Sequence, residues 1–195
     1  MAQSLHVLLL AALSTLPAIH FKSPARAPVK PAKESKTQPA PAPKSLNPVQ
    51  LTVVDYKQLR GILKAHRGRI IVMDVWAQFC QPCRRQFPRL VKLHHDYADR
   101  GVVCVSVSVD DPEERDSVLK YLKSKKATIT NFLLDEDPSV WQDKWDITAI
   151  PAVFVYGVDG KIAARFDHNE PQNDFTYDDV EDAVDELLKR GTASR

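Results

Sequence analysis

Ile70-Ile71-Val72-Met73-Asp74-Val75-Trp76-Ala77-Gln78-Phe79-Cys80-Gln81-Pro82-Cys83-Arg84-Arg85 is the stretch on which the reading of this 195-residue chain turns. Its apolar, largely β-branched beginning reads as a buried strand, a short loop then carries two cysteines, and an amphipathic pattern follows at once. The thiols therefore sit at a strand-to-helix junction. A helix N-terminus presents unpaired N–H groups and the positive end of the dipole, and both favour a thiolate over a thiol. A free cysteine titrates near pH ~8.5 and falls to roughly 3.5–7.5 in such a setting, which makes Cys80 the candidate nucleophile. Cys83 lies about one helical turn further on, in reach of a mixed disulfide formed on Cys80. Pro82 suits the junction, since a first-turn proline loses no helical hydrogen bond.

The run Trp76-Ala77-Gln78-Phe79-Cys80-Gln81-Pro82-Cys83, with Asp74 six residues before the first cysteine and Pro88 eight after it, resembles the active site of thioredoxin-fold oxidoreductases. A second mark of that family stands far downstream, in Ala149-Ile150-Pro151-Ala152-Val153-Phe154-Val155. In the family the proline matching Pro151 is cis and faces the cysteine pair, and the backbone before it pairs with the substrate chain. The resemblance thus implies a redox-active Cys80/Cys83 disulfide, a buried Asp74 that assists the resolving thiol, and substrate contacts at Trp76, Phe79, Gln81, Pro82, Ile150 and Pro151. Trp76 is expected to flank the substrate groove rather than fill the core.

Asp74 also stands out without the resemblance. An acid in an apolar strand is costly to bury ionised, so its pKa should rise into the range of a useful proton acceptor. Three residues depart from the family pattern: Ser106 stands where a lysine often neighbours this acid, Gln86 where many exported relatives have a glutamate, and Phe79 where a tryptophan is usual. Arg84 and Arg85, in the first turn after the pair, are solvated helix charges or a preference for acidic partners.

Composition narrows the classes. The formal net charge is +2, but residues 1–48 hold six basic residues and a single acid, leaving 21 basic against 24 acidic residues beyond them. A mildly acidic domain carries no nucleic-acid footprint. Three cysteines cannot close a disulfide framework, and Cys104, inside the alternating run 103–109, reads as a small buried hydrophobe. His94 and His95 lie too far along the helix from Cys83 for a shared metal site, and no second C-x-x-C exists. No metal and no cofactor are expected.

Three segments are expected along the chain. Residues 1–21 contain an uncharged apolar run at 5–19 that reads as a signal peptide or as a membrane anchor, the tether then running through residues 5–21. Residues 22–48, with seven prolines among Ala and Lys, read as an extended linker. Residues 49–195 read as one thioredoxin-like domain. Within it the patterns predict strands at 51–54, 69–75, 102–109, 131–134, 152–156 and 161–166. They predict helices from Asp55 to Gly68, from Cys83 to Asp99 with a kink at Pro88, and at 113–125, 139–145 and 177–190. Asp159-Gly160 marks a hairpin. The expected fold is α/β and thioredoxin-like: a mixed central sheet flanked by helices, with a helix-strand insertion before the cis-proline loop. About forty residues between Asp110 and Pro151 form that insertion, with Trp141 and Trp145 in its core, and it is similar to the TlpA/ResA-like branch of the family.

The resemblance implies thiol-disulfide exchange on protein disulfide or dithiol substrates. A membrane or soluble redox partner supplies electrons, and the location is the bacterial periplasm or a membrane anchor facing it. A monomer is expected. The competing readings are a peroxiredoxin-like peroxidase and a non-enzymatic binding or metallochaperone module.

Overall fold

The computed structural model describes residues 48–169 and 174–193. The signal or anchor segment expected at 1–21 lies outside the described residues, as does the linker expected at 22–48 except for Pro48. Among the described residues, no helix is long and apolar enough to cross a membrane.

The centre of the fold is β2 (Ile70–Trp76), whose seven residues are all buried. A strand covered on both faces needs apolar residues at successive positions rather than alternation, and I-I-V-M-D-V-W meets that demand except at Asp74. Parallel to it runs β3 (Val102–Ser108), with Ile70 opposite Val102 and Trp76 opposite Ser108. On its other side β5 (Ala152–Tyr156) pairs antiparallel, placing Asp74 opposite Val153. The outer strands are β1 (Thr52–Val54), β4 (Thr130–Leu134) and β6 (Ile162–Phe166), and the sheet order is β1-β4-β3-β2-β5-β6. The sheet is mixed, as expected: β1, β4, β3 and β2 are mutually parallel, while β5 and β6 run antiparallel to their neighbours.

Among the described residues, five α-helices cover the two faces: α1 (Tyr56–Ala65), α2 (Gln81–Tyr97), α3 (Arg115–Ser124), α4 (Pro138–Trp145) and α5 (Tyr177–Ala193). A capping box sets the start of α1, where Asp55 accepts from the backbone of Gln58 and the Gln58 side chain accepts from the backbone N–H of Asp55. α2 continues through Pro88 as one helix to Tyr97 and ends in a short 3₁₀ turn at Ala98–Arg100.

Alternation along the central strand divides the core. Ile70, Val72 and Trp76 point to the face covered by α2, α3 and α5, packing with Leu90, Leu122, Tyr177, Val180 and Val184. Ile71, Met73 and Val75 point to the opposite face, with Leu59, Phe154, Trp141 and Trp145. The two insertion tryptophans are therefore core, as expected, Trp145 meeting the ring of Tyr56 edge-on at 5.7 Å. The inserted strand β4 lies between β1 and β3 and so widens the sheet on the side away from β5. At the β5–β6 turn, Gly160 has φ +76° and lies so close to the Arg67 side chain that a Cβ would come within 2.9 Å, which explains glycine there.

Candidate active site

At the C-terminal end of β2 the chain leaves the sheet through Ala77-Gln78-Phe79 and enters α2 at Gln81. Cys80 is the N-cap of that helix. Its Sγ accepts the backbone N–H of Cys83 at 3.2 Å, the role that a serine or aspartate oxygen fills at other helix starts. The same N–H, together with the dipole of a 17-residue helix, would stabilise negative charge on this sulfur once the pair is reduced. Cys80 and Cys83 are joined as a disulfide with Cα atoms 5.3 Å apart. Both are buried, Cys80 at 7% exposure and Cys83 at 2%, so Cys80 is the sulfur nearer to solvent.

Pro151 approaches from the other end of the chain. The Ile150–Pro151 peptide is cis, and the Ile150 carbonyl oxygen lies 3.6 Å from Sγ of Cys80. The two motifs expected to meet do meet, although 70 residues separate them. Around the sulfurs, Phe79 is 78% exposed, Gln81 and Pro82 are exposed in the first turn of α2, and Ile150 is half-buried beside the buried Pro151.

Trp76 departs from expectation. It is completely buried, its ring 4.8 Å from Phe87 and 5.1 Å from Tyr121, and its indole N–H donates to the Ser106 hydroxyl at 3.1 Å. The reason is the pleat: β2 extends through residue 76, so Trp76 shares the face of Val72 and Asp74 and lies under α2. It supports the helix that carries the cysteines and takes no part in a surface groove.

Asp74 is buried at 2% exposure, and desolvation pushes its pKa up to about 7. A hydrogen bond from the Tyr177 hydroxyl to Oδ2 opposes that rise, and Oδ1 is buried with no hydrogen-bond partner. Ser106, directly opposite Asp74 in the β2–β3 register, is engaged by the indole of Trp76 and brings no charge to the acid. Cys104 is buried in the same region; desolvation first, then the charge of Asp74, pushes its thiol pKa far up, as befits an inert core residue.

Two further residues of the site carry no motif in the sequence. Tyr177 is one. It precedes Val180 and Val184 on the buried stripe of α5, so its inward direction was legible, but its partner 103 residues away was not. Asp110 is the other. It is 3% exposed, accepts the backbone N–H of Gln78 at 2.9 and 3.0 Å and the Ser108 hydroxyl at 2.6 Å, and its pKa is raised by burial. It thereby pins the loop before Cys80 to the end of β3. Gln86 holds a buried Oε1 without a partner.

His94 is half-buried and sits beside His95, ring centroids 5.8 Å apart; burial, then His95 and Arg69, lower its pKa. A cavity of about 200 Å³, lined in part by Tyr56, Trp145 and Tyr156, belongs to the face opposite the cysteines. The disulfide itself lies between the start of α2 and the loop that ends at Pro151, with Phe79, Gln81 and Pro82 exposed beside it.

Known proteins resemble this arrangement. ResA, a thiol-disulfide oxidoreductase of Bacillus subtilis (strain 168), is 27% identical over 96 residues, covering 49% of this chain and 51% of that protein. The ResA of Geobacillus kaustophilus is 24% identical over 110 residues, 56% of this chain and 61% of that one. The chain thus spans about half to three-fifths of the length of these curated relatives. Among solved structures, the thioredoxin domain of a thiol-disulfide oxidoreductase from Bacteroides vulgatus superposes with a TM-score of 0.54 at 23% identity, over 65% of this chain and 84% of that one, which establishes the thioredoxin-like fold. The family model described as "AhpC/TSA family" matches residues 46–165, from before β1 to within β6 and across both motifs of the site, and the chain belongs to that family.

Proposed function

We propose that this chain is a thiol-disulfide oxidoreductase working through Cys80 and Cys83. The observation that carries the reading is the position of Cys80, whose sulfur caps α2 and lies against the carbonyl before Pro151. In the reduced protein the Cys80 thiolate attacks one sulfur of a substrate disulfide. A Cys80–substrate bond forms, the substrate's own S–S bond breaks, and its other sulfur leaves as a thiolate. Cys83 then gives its proton to Asp74 and attacks Sγ of Cys80, expelling the second substrate sulfur with the bonding electron pair. Two electrons have passed to the substrate, and the Cys80–Cys83 disulfide is the oxidised product.

Asp74 suits the acceptor role because burial raises it to about 7, where it can both take and release a proton near neutrality. Phe79, Gln81, Pro82, Ile150 and Pro151 form the surface for substrate. The exposed aromatic ring supplies an apolar contact beside the sulfur, and the backbone at Ile150 accepts from an extended substrate chain, which favours protein disulfides over small ones. Residues 49–195 serve as the catalytic domain. The apolar run at 5–19 directs export to the bacterial periplasm, or tethers the domain facing it, and a membrane or soluble dithiol partner returns the electrons.

The test is equilibration of the full chain against glutathione and dithiothreitol buffers, with Cys83→Ser as control. A reversible Cys80/Cys83 couple near the thioredoxin value of about −270 mV marks a reductant, and one near about −120 mV an oxidant. Absence of a reversible couple overturns the reading. Turnover with peroxide but not with a protein disulfide transfers the site to peroxidase chemistry.

A further inference from the structure

Resting on the dithiol reading above, we propose that Tyr177 is a positioning residue for the resolving step: its hydroxyl holds Oδ2 of Asp74, and the unpartnered Oδ1 is the oxygen that takes the proton from the Cys83 thiol. Four observations carry this. First, the carboxylate has two unequal oxygens, one bonded to the Tyr177 hydroxyl and one buried without a partner. Of the two oxygens, Oδ1 is the one whose lone pairs no side chain or backbone donor engages, so it is the one able to accept a proton.

Second, Asp74 lies between Val72 and Trp76 on the face of β2 that packs with Cys80, Cys83 and Tyr177. Third, Tyr177 is held firmly. It is 2% exposed and begins α5, and Arg89 of α2 clamps that first turn through Asp178 and, at 3.0 Å, Glu181. Thr176, just before it, donates its backbone N–H to Asp179 at 2.7 Å. The helix bearing the cysteines and the helix bearing the tyrosine are thus tied to each other.

Fourth, the groups facing Asp74 from the surrounding elements leave the phenol as its sole hydrogen-bond donor among the described residues. β3 brings the Cys104 thiol, raised by burial, and Ser106, which already accepts from Trp76. α3 brings Tyr121, raised chiefly by its burial, with the charge of Asp74 the last of its causes; Arg89 of α2 acts on Tyr177 rather than on the acid, and its Nη2 is bonded to Asp178 and Glu181. Burial, then the charge of Asp74, holds the Tyr177 phenol well above its ordinary range, so it donates a hydrogen bond and does not compete for the thiol proton.

In the step itself the Cys83 S–H bond breaks and its proton goes to Oδ1. The sulfur's electron pair forms the bond to Sγ of Cys80, and the substrate sulfur leaves with the pair of the mixed disulfide. When a partner reduces the protein again, Oδ1 returns the proton.

The experiment uses the full chain labelled with ¹³C-aspartate. Tyr177→Phe keeps the ring and deletes the hydroxyl. Loss of a hydrogen bond to a charged acceptor moves the Asp74 carboxyl titration of the oxidised protein up by about one to two pH units. The pH midpoint for release of a mixed disulfide by Cys83 should move by the same amount. 3-Fluorotyrosine placed at position 177, a stronger donor, moves both midpoints down, which a purely structural role would not do. In the Asp74→Asn background the Tyr177→Phe change adds nothing to the pH profile. An unmoved carboxyl midpoint in a folded Tyr177→Phe protein overturns the proposal, and so does a carboxyl shift with an unmoved release profile. A couple that never cycles in the wild-type chain sinks the dithiol reading instead, and the two failures are told apart by the carboxyl titration, which needs no turnover.

Discussion

Both carboxylate oxygens of Asp110 accept the backbone N–H of Gln78, at 2.9 and 3.0 Å, so the loop that delivers Cys80 is fastened to the end of β3. A second bond, from the Ser108 hydroxyl to Oδ2, and a third, from the Asp110 N–H to that same hydroxyl, close a small buried network. Asp110→Ala leaves the Gln78 N–H and the Ser108 hydroxyl without their acceptor. The expected cost is about 1–3 kcal/mol, read as a lower urea midpoint at unchanged slope, together with slower reduction of a protein disulfide. Asp110→Asn, which keeps an acceptor oxygen, should lose less. An alanine variant with wild-type midpoint and rate would show that the loop holds itself.

Stability should fall as pH rises through neutrality. The carboxyl of Asp74 has its pKa raised from 3.8 to about 7 in the folded chain, so between those values the folded state binds a proton that the unfolded state has lost. Stability attached to this group is full below pH ~4 and is lost as pH passes the folded value, an effect of about 4 kcal/mol from the size of the shift. Asp110, also raised, adds in the same direction. Urea unfolding of the oxidised chain at pH 5 and pH 8 checks this. In Asp74→Asn most of the difference should vanish, and the variant should exceed the wild type at pH 8. An equally steep fall in Asp74→Asn would assign the pH dependence elsewhere.

Trp76 and Phe79, three residues apart, should separate stability from substrate contact. Trp76→Ala removes a fully buried ring packed on Phe87 and Tyr121, at a cost of about 3–5 kcal/mol. Phe79→Ala should change stability by no more than about 0.5 kcal/mol, because the ring is 78% exposed. Its effect belongs in the KM for a protein disulfide, with reduction of a small-molecule disulfide unaltered. A large loss of stability in Phe79→Ala would contradict the structure.

Cys104 should be silent until the chain unfolds. In the oxidised protein it is the one free thiol among the described residues, buried and kept protonated by its surroundings. Ellman's reagent should find no reactive thiol in the native oxidised protein and one per chain in denaturant. Rapid labelling of the native form would show that the β3 face opens.

Several features of the site were legible because they are written in neighbouring residues. A thiol that caps a helix, and a second one turn later, follow from Cys80-Gln81-Pro82-Cys83 between a β-branched run and an amphipathic one. The period of two in 102–109 and the helical stripe of Val180 and Val184 likewise need only local spacing, and the structure has those elements with ends moved by one to three residues. Even the inward direction of Trp76 was available, since strand alternation continued by one residue places it with Val72 and Asp74.

By itself, then, the sequence determined the element order, the dithiol at its strand-to-helix junction and the second motif at Pro151, because backbone propensity and side-chain periodicity act over a few residues. Tertiary structure alone decided which polar groups became partners: Tyr177 for Asp74 across 103 residues and Asp110 for Gln78 across 32. Those choices depend on strand register and on which helix closes over which face. A buried acid can show in sequence that it needs a donor, but only the packed chain brings one within hydrogen-bond reach.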